Sequence, residues 1–143
     1  MGSAAGFDAA EVQWCPQRRC QVSDYLAREG VTHGVIGDWP AWHVFPCVSL
    51  WAIESVRSPG WVGWWVICGD LPTDYVSSAG LKDPRSAVGA IAQHWLEAIP
   101  YLQRGQQPPD CSLGRGGNCA ELASLLQSRA DLLASWVADD AVW

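Results

Sequence analysis

Basic residues are scarce in this sequence. The 143 residues include 9 Lys and Arg against 15 Asp and Glu, which gives a formal net charge of −6. Nucleic-acid binding needs a basic surface that neutralises phosphates, and no basic cluster is visible, so we expect no nucleic-acid partner. An acidic surface instead suits a protein that meets a basic partner, because opposite charges steer association.

Long apolar segments are also missing. The longest apolar run, from Trp61 to Gly69, is far too short to cross a bilayer, so we expect no membrane partner. Residues 1–12 lack the basic stretch and apolar run of a secretion signal, which predicts a cytoplasmic protein. Hydrophobic residues make up 49% and charged residues 17% of the chain, a balance typical of a soluble folded domain rather than a disordered one.

Spacings that mark a metal centre are absent as well. The sequence has no Cys-x-x-Cys pair and no His-Glu-x-x-His motif, and its histidines (His33, His43 and His94) are scattered. The six cysteines are even in number, but without a secretion signal they are interpreted as reduced thiols that pack as small apolar residues. We therefore expect no metal and no cofactor, and we assign no catalytic residue.

Tryptophan, by contrast, is abundant, with ten Trp against three Tyr and two Phe. Residues 59–75 read PGWVGWWVICGDLPTDY, so three indoles fall within five positions and two aspartates follow. Large aromatic side chains are more often core than binding site. A buried indole N–H needs an acceptor, and Glu54, Asp70 and Asp74 lie at the predicted strand ends where they can supply one.

The hydrophobic periodicity and turn signals predict an α+β fold in a single domain. It comprises an N-terminal helix, an antiparallel β-hairpin with the option of a short third strand at 75–78, and two C-terminal helices packed on the sheet. The predicted elements are a helix at 8–30, a Trp-rich hairpin and turn at 44–78, a helix at 83–105, a loop at 106–117 and a helix at 118–139, all within a domain of residues 1–143.

Local signals refine the predicted helix ends. Gly30 is placed as a C-terminal stop, and Asp83 and Asn118 are placed as N-caps. Proline removes a helical N–H, so Pro16 should lie in the first turn or break its helix, and Pro100 should kink or split its own.

The hairpin is expected to be apolar on both faces. With strands at 44–55 and 61–70 and a turn at Pro59-Gly60, one plausible register sets Trp51 opposite Trp64 and Cys47 opposite Cys68. A sheet with one solvated face should alternate apolar and polar residues, and neither strand does. We therefore expect both faces to be covered, one by the helices and the other by the Trp39–Trp42 loop, a second subunit or a ligand.

The strings WPAWHVFPCVSLWAIES at 39–55 and PGWVGWWVICGDLPTDY at 59–75 resemble a family of small bacterial proteins known as a domain of unknown function, number 4826 of that series. Looser similarity extends upstream to Trp14-Cys15 and downstream to Asp83-Pro84-Arg85, or roughly residues 12–95. The resemblance implies a bacterial origin. It implies no activity, substrate or functional residue.

The main candidate site combines aromatic rings with carboxylates: Trp39, Trp42, His43, Glu54, Trp61, Trp65, Asp70, Asp74 and Tyr75. Such a set suits a cationic ligand or an Arg or Lys side chain of a partner. The competing interpretation is a structural cluster, and the sequence DLPTD at 70–74 is also a good turn. A weaker candidate is the Gly-rich stretch 113–122, where Arg115 and a helix N-terminus suit an anion.

Three functions stay open at this stage. The first is a non-enzymatic protein that binds another protein through an exposed Trp surface, for example a toxin-neutralising or immunity-type protein with a basic partner; self-association as a homodimer would explain the same residues. The second is a binder of a cationic or planar small molecule in a pocket of Trp39, Trp42 and Trp61. The third is an enzyme that uses Glu54, Asp70 or Asp74 with a histidine in a cleft.

Overall fold

Four antiparallel strands and three main helices make up the computed structural model of the chain, which describes residues 9–109, 113 and 118–143. The elements are α1 (Ala9–Glu29), β1 (Trp42–Val44), β2 (Val48–Glu54), β3 (Val62–Gly69), β4 (Leu71–Ser77), α2 (Pro84–Gln103) and α3 (Cys119–Val137), followed by a 3-10 turn at Asp140–Val142. The predicted α+β class is confirmed. Most of the predicted loop 106–117, including Arg115 and the anion site proposed there, lies outside the described residues.

The chain divides into two units, Met1–Ala79 and Gly80–Trp143. The first contains α1 and the sheet, and the second contains α2 and α3. A single domain over the whole chain, with the later helices on the sheet, stays a prediction.

Helix α1 ends as its sequence predicts but begins earlier than its proline suggests. Gly30 takes a φ of 69°, and the N–H of Val31 donates to the Leu26 carbonyl, which closes the helix. Pro16 lies inside α1, so the prediction that it starts or breaks the helix was wrong. Pro16 has no N–H to donate to the carbonyl of Val12, four residues earlier. Both residues are exposed, so water can donate a hydrogen bond to that carbonyl instead.

The sheet has the order β1-β2-β3-β4, which is more extensive than the predicted hairpin. The predicted strand at 44–55 is in fact β1 and β2, separated by a turn in which the Cys47 N–H donates to the Val44 carbonyl. The predicted turn at 70–74 was also wrong, because only Asp70 separates β3 from β4. Pro72 is tolerated within β4 because β4 is an edge strand of this sheet, where a missing N–H breaks no ladder.

The register differs from the predicted one by two residues. Trp51 lies opposite Val66 and Ser49 lies opposite Cys68, so the predicted pairs Trp51–Trp64 and Cys47–Cys68 were wrong. An irregularity between Ile53 and Glu54 and a connection longer than a tight Pro-Gly turn account for the shift. Since side chains alternate with a period of two, this even displacement leaves residues 48–53 and 64–69 on their predicted faces. Beyond the irregularity, where Glu54 pairs with Val62, the displacement is one residue.

Both faces of the central strands are buried, as predicted. On the first face Trp51, Ile53 and Val66 pack with Tyr25 and Leu26 of α1 in one hydrophobic cluster. On the second face the buried side chains are Val48, Leu50, Trp65 and Ile67. Apolar and polar residues therefore do not alternate along β2 and β3, because neither face of these strands is exposed to solvent at these positions.

The two helices of the second unit begin at the N-caps predicted from the sequence. The side chain of Asp83 accepts a hydrogen bond from the Ser86 N–H at 2.8 Å, and that of Asn118 accepts one from the Glu121 N–H at 3.1 Å, so both N-caps are confirmed. Helix α2 runs through Pro100 without splitting, and α2 packs against α3. The predicted apolar face of α2 is buried, at Val88, Ile91, Trp95, Ile99 and Leu102.

Candidate functional site

The candidate residues named from the sequence are spread over several parts of the first unit. Trp39, Trp42 and His43 belong to the β1 segment, Glu54 and Trp61 flank the β2–β3 loop, Asp70 lies between β3 and β4, and Trp65, Asp74 and Tyr75 lie on the sheet. Each group therefore has its own surroundings.

His43 pairs with a residue that the sequence reasoning missed. Its Nε2 lies 2.6 Å from Oε2 of Glu11 in the first turn of α1, and both side chains are mostly buried. The ring of Trp39 meets the imidazole edge to face at 5.8 Å between centroids, and that of Trp14 lies 6.3 Å away. Glu54, one of the carboxylates considered with a histidine in the enzyme hypothesis, accepts its hydrogen bonds from Val35 and Gly60 instead. Glu11 and His43 are 32 residues apart in the sequence, so no local pattern indicates that they pair.

Three candidates belong to the interior of the sheet. Trp65 is buried on the second face, and Asp74 is 4% exposed, with its Oδ1 accepting the N–H of Tyr75 at 2.9 Å. The Tyr75 ring meets Tyr25 and Trp64 edge to face, with centroids 5.9 and 5.6 Å apart. These contacts are those of a packed core.

Glu54 and Asp70 lie at opposite ends of β3, as expected from the sequence. Glu54 lies opposite Val62 at the first end, whereas Asp70 follows Gly69 at the other. The Glu54 oxygens accept hydrogen bonds from the N–H groups of Val35, at 3.1 Å, and Gly60, at 2.9 Å. These two bonds lower the pKa of Glu54 from its ordinary 4.5, so it stays ionised where a general acid would need a raised pKa.

The β2–β3 loop, residues 55–61, displays Trp61 to solvent. The indole is 75% exposed, against 38% for Trp39. Its backbone is fixed, because the Ser55 N–H donates to the Trp61 carbonyl at 2.8 Å and the Trp61 N–H donates to the Ser58 carbonyl at 3.0 Å. Gly60 allows the turn with a φ of 90°. Trp61 therefore projects from an ordered loop.

A cleft of about 950 Å³ opens beside this loop, and we call it the Trp61 cleft. Its lining combines indole rings, aliphatic side chains, hydroxyls and one guanidinium. These include Trp61, Trp64, Val56, Arg57, Ser55 and Ser77. Gly63 brings the β3 backbone close to the loop, since a Cβ there would lie 2.9 Å from the Ser55 Cα. The cleft therefore combines the exposed tryptophan with a half-buried one.

The described residues contain neither a metal-binding cluster nor a membrane-spanning helix. Across residues 9–109, 113 and 118–143, no group of three or more His, Cys, Asp or Glu side chains is arranged to hold a metal ion. In the same part of the chain, no helix has the length and apolar character that crossing a membrane requires.

The family model described as Domain of unknown function (DUF4826) matches residues 8–143 of the chain. The match confirms the resemblance carried by the two Trp-rich strings, and it extends past residue 95 to include the C-terminal helix. No curated protein and no solved structure matches the chain.

Proposed function

We propose that this chain, which belongs to the DUF4826 family, acts by binding another protein through Trp61 and the cleft beside it. The observation that carries the proposal is the 75% exposure of Trp61 in an ordered loop. Val35, 66% exposed, and Val56, 53% exposed, add apolar surface to the same end of the sheet. An exposed indole with apolar neighbours is typical of an interface anchor.

The fixed backbone of the β2–β3 loop supports the proposal, in addition to the exposure of Trp61. A loop whose backbone is already held in position loses less conformational entropy when a partner covers it. The backbone bonds of Ser55 and Trp61 and the Glu54 bond to Gly60 supply that order before any partner arrives. Trp61 is therefore suited to be the residue on which most of the binding energy depends.

The charge of the chain favours a partner with a basic surface. A net charge of −6 attracts positive proteins over distances comparable to the Debye length and raises their association rate. A toxin-neutralising or immunity-type protein is one concrete version of such a binder. We also expect the association rate to fall as salt is added.

Neither the small-molecule pocket nor the homodimer gains similar support. Trp42 is buried in β1 opposite Leu50, whereas Trp61 lies beyond Glu54 at the far end of β2, so the sheet register adds no support for a pocket shared by Trp39, Trp42 and Trp61. Self-association stays a prediction, but Leu50 and Ile67 of the second sheet face are already fully buried and do not call for a second subunit.

The proposal is tested with proteins encoded beside this one, purified and titrated against the wild-type chain and against Trp61→Ser. We expect one of them to bind in the micromolar range or tighter, and we expect Trp61→Ser to weaken that binding by about thirtyfold or more, as for other anchor residues. Calorimetry gives the affinity, and urea unfolding should show a stability change within about 0.5 kcal/mol because Trp61 is exposed.

The matched control is Leu125→Ser, which removes an exposed apolar side chain from α3. It should leave the affinity unchanged. Unchanged binding by Trp61→Ser, or no binding by any neighbour-encoded protein at micromolar concentration, would contradict the proposal.

A further inference from the structure

We infer that the segment of the partner that enters the Trp61 cleft carries a carboxylate next to an apolar side chain, and that the carboxylate pairs with Arg57. The inference rests on the proposed function and adds to it the chemistry of the partner's contact segment. It comes from the charges, hydrogen bonds and rings that line the cleft.

Arg57 is the one ionisable side chain among the described residues that line the cleft. The rest of the lining is apolar or carries hydroxyls, and none of it is acidic. In a chain with 15 acidic and 9 basic residues, a cleft whose charge is a single arginine is unlike the average surface. Locally, therefore, the cleft is complementary to an anion.

Arg57 is also available to bind. In the described part of the chain its guanidinium forms no hydrogen bond and no ion pair. By comparison, Arg19 donates to the carbonyls of Ile36 and Gly37, and Arg85 donates to Val137 and Asp140. The carboxylate closest in sequence, Glu54, already accepts two backbone N–H bonds.

The hydroxyls beside Arg57 add donors of the same kind. Ser55 Oγ accepts the N–H of Ser58 at 3.1 Å, and Ser77 Oγ accepts the N–H of Ala79 at 3.2 Å. A hydroxyl that accepts one bond in this way can still donate its own hydrogen. Arg57, Ser55 and Ser77 can therefore all donate hydrogen bonds to a carboxylate, and Arg57, which is cationic and has no acceptor atom, disfavours an ammonium.

The apolar part of the contact comes from the rings. Trp61 and Trp64 both line the cleft, and Val56 lies with them. A carboxylate alone would leave the apolar surfaces of the cleft exposed to water. A segment that has an aromatic or aliphatic residue beside its Asp or Glu covers both the rings and the guanidinium. A peptide segment of a partner fits this pattern.

The inference agrees with a partner that is basic overall. The net charge of −6 acts at long range and governs how fast a partner arrives. Pairing with Arg57 acts at contact and governs which segment of that partner is held. A basic protein that presents one acidic, apolar segment meets both conditions.

A display library of random short peptides tests the inference directly. It is selected against the wild-type chain, Arg57→Gln and Trp61→Ser, with Arg28→Gln as a control that removes an exposed arginine from α1. We expect the wild type and Arg28→Gln to enrich peptides with Asp or Glu next to an aromatic or aliphatic residue. Arg57→Gln should lose the acidic preference, and Trp61→Ser should enrich nothing.

One enriched peptide is then synthesised with its acidic residue intact or changed to the amide. The amide form should bind the wild type about tenfold more weakly, since it gives up a charge-assisted pair, and the two forms should bind Arg57→Gln alike. Equal binding of the two forms to the wild type, a basic consensus, or no enrichment would overturn the inference. Enriched peptides that depend on Trp61 but not on Arg57 would overturn it and leave the proposed function standing, whereas peptides that depend on neither would overturn both.

Discussion

Trp51 shows, at the scale of single residues, how a tryptophan-rich core satisfies its own polar atoms. The side chain is fully buried, and its Nε1–H donates to the Ser49 Oγ at 2.9 Å. Ser49 in turn donates to the Cys68 carbonyl on the neighbouring strand at 3.0 Å. Residues two apart on a strand share a face, so a serine on the same strand supplies the acceptor that was expected from carboxylates at the strand ends.

Ser49→Ala should destabilise the protein by about 1–3 kcal/mol, because it leaves the buried Trp51 N–H without an acceptor. The free energy of unfolding in urea measures the loss. In a Trp51→Phe background the same change should cost much less, since no indole N–H remains. Equal costs in the two backgrounds would show that the hydrogen bond does not matter.

At the scale of elements, side chains such as Arg85 connect segments that are distant in sequence. Arg85 at the start of α2 donates to the Val137 carbonyl at 2.8 Å, pairs with Asp140 at 2.7 Å and lies 5.8 Å from the centre of the Trp143 ring. It thereby holds the end of α3 and the residues after it against α2. Capping signals predict where these helices begin, but no local sequence pattern predicts the contacts of Arg85 with Val137, Asp140 and Trp143.

Glu54 is the corresponding connection in the first unit. Its carboxylate bridges the N–H of Val35, before β1, and that of Gly60, in the loop that carries Trp61. Gly34 is needed for this arrangement, because a Cβ there would lie 2.6 Å from the Glu54 Oε1. The carboxylate thus positions the binding loop proposed above.

We expect Glu54→Gln to lower stability at neutral pH and to matter less in acid. Two hydrogen bonds lower the pKa of Glu54 in the folded state from 4.5, so the carboxylate stabilises the fold fully above pH 4.5. That contribution is lost as the pH falls through the lowered pKa. Unfolding free energies of wild type and variant should therefore converge below pH 4.5.

Asp24→Asn is the control for this pH series, because it neutralises an exposed carboxylate on α1. It should leave the pH dependence close to that of the wild type. A difference between wild type and Glu54→Gln that is constant from neutral pH down into the acid range would contradict the assignment of the bridge.

At the scale of the whole molecule, the described part of the chain combines a large apolar core with cysteines that form no disulfide. Cys15, Cys20, Cys47, Cys68 and Cys119 are free thiols. Burial raises the pKa of Cys15 to about 11, with a further contribution from Glu11, and burial also raises the pKa of Cys68. A thiol with a raised pKa is mostly protonated near neutral pH and reacts slowly, so these two act as packing residues.

Brief alkylation of the native protein with iodoacetamide, followed by peptide mapping, should therefore modify Cys20 before the other four described cysteines, because Cys20 is the exposed one among them. Cys15 and Cys68 should be modified only when denaturant opens the fold. Rapid modification of either in the native protein would show that its surroundings open readily.

The sequence by itself determined the class of fold, the helix caps, the buried face of α2 and the burial of both faces of the hairpin. These properties are local, since each depends on which residues recur along one helix or strand and on the few residues at its ends. Even the wrong register kept residues 48–53 and 64–69 on their predicted faces. Pro16 misled because the exposure of its surroundings, which the local sequence does not determine, allows α1 to continue through it.

Only the tertiary structure decided which tryptophan meets solvent. Trp51, Trp61 and Trp65 stand in one Trp-rich region and look alike as sequence, yet two are buried and one is 75% exposed. The difference arises from contacts between distant segments: the register of β2 on β3, and the Glu54 bridge that fixes the loop against Val35. Such contacts leave no periodic signal in the chain, because they depend on how its segments meet in space.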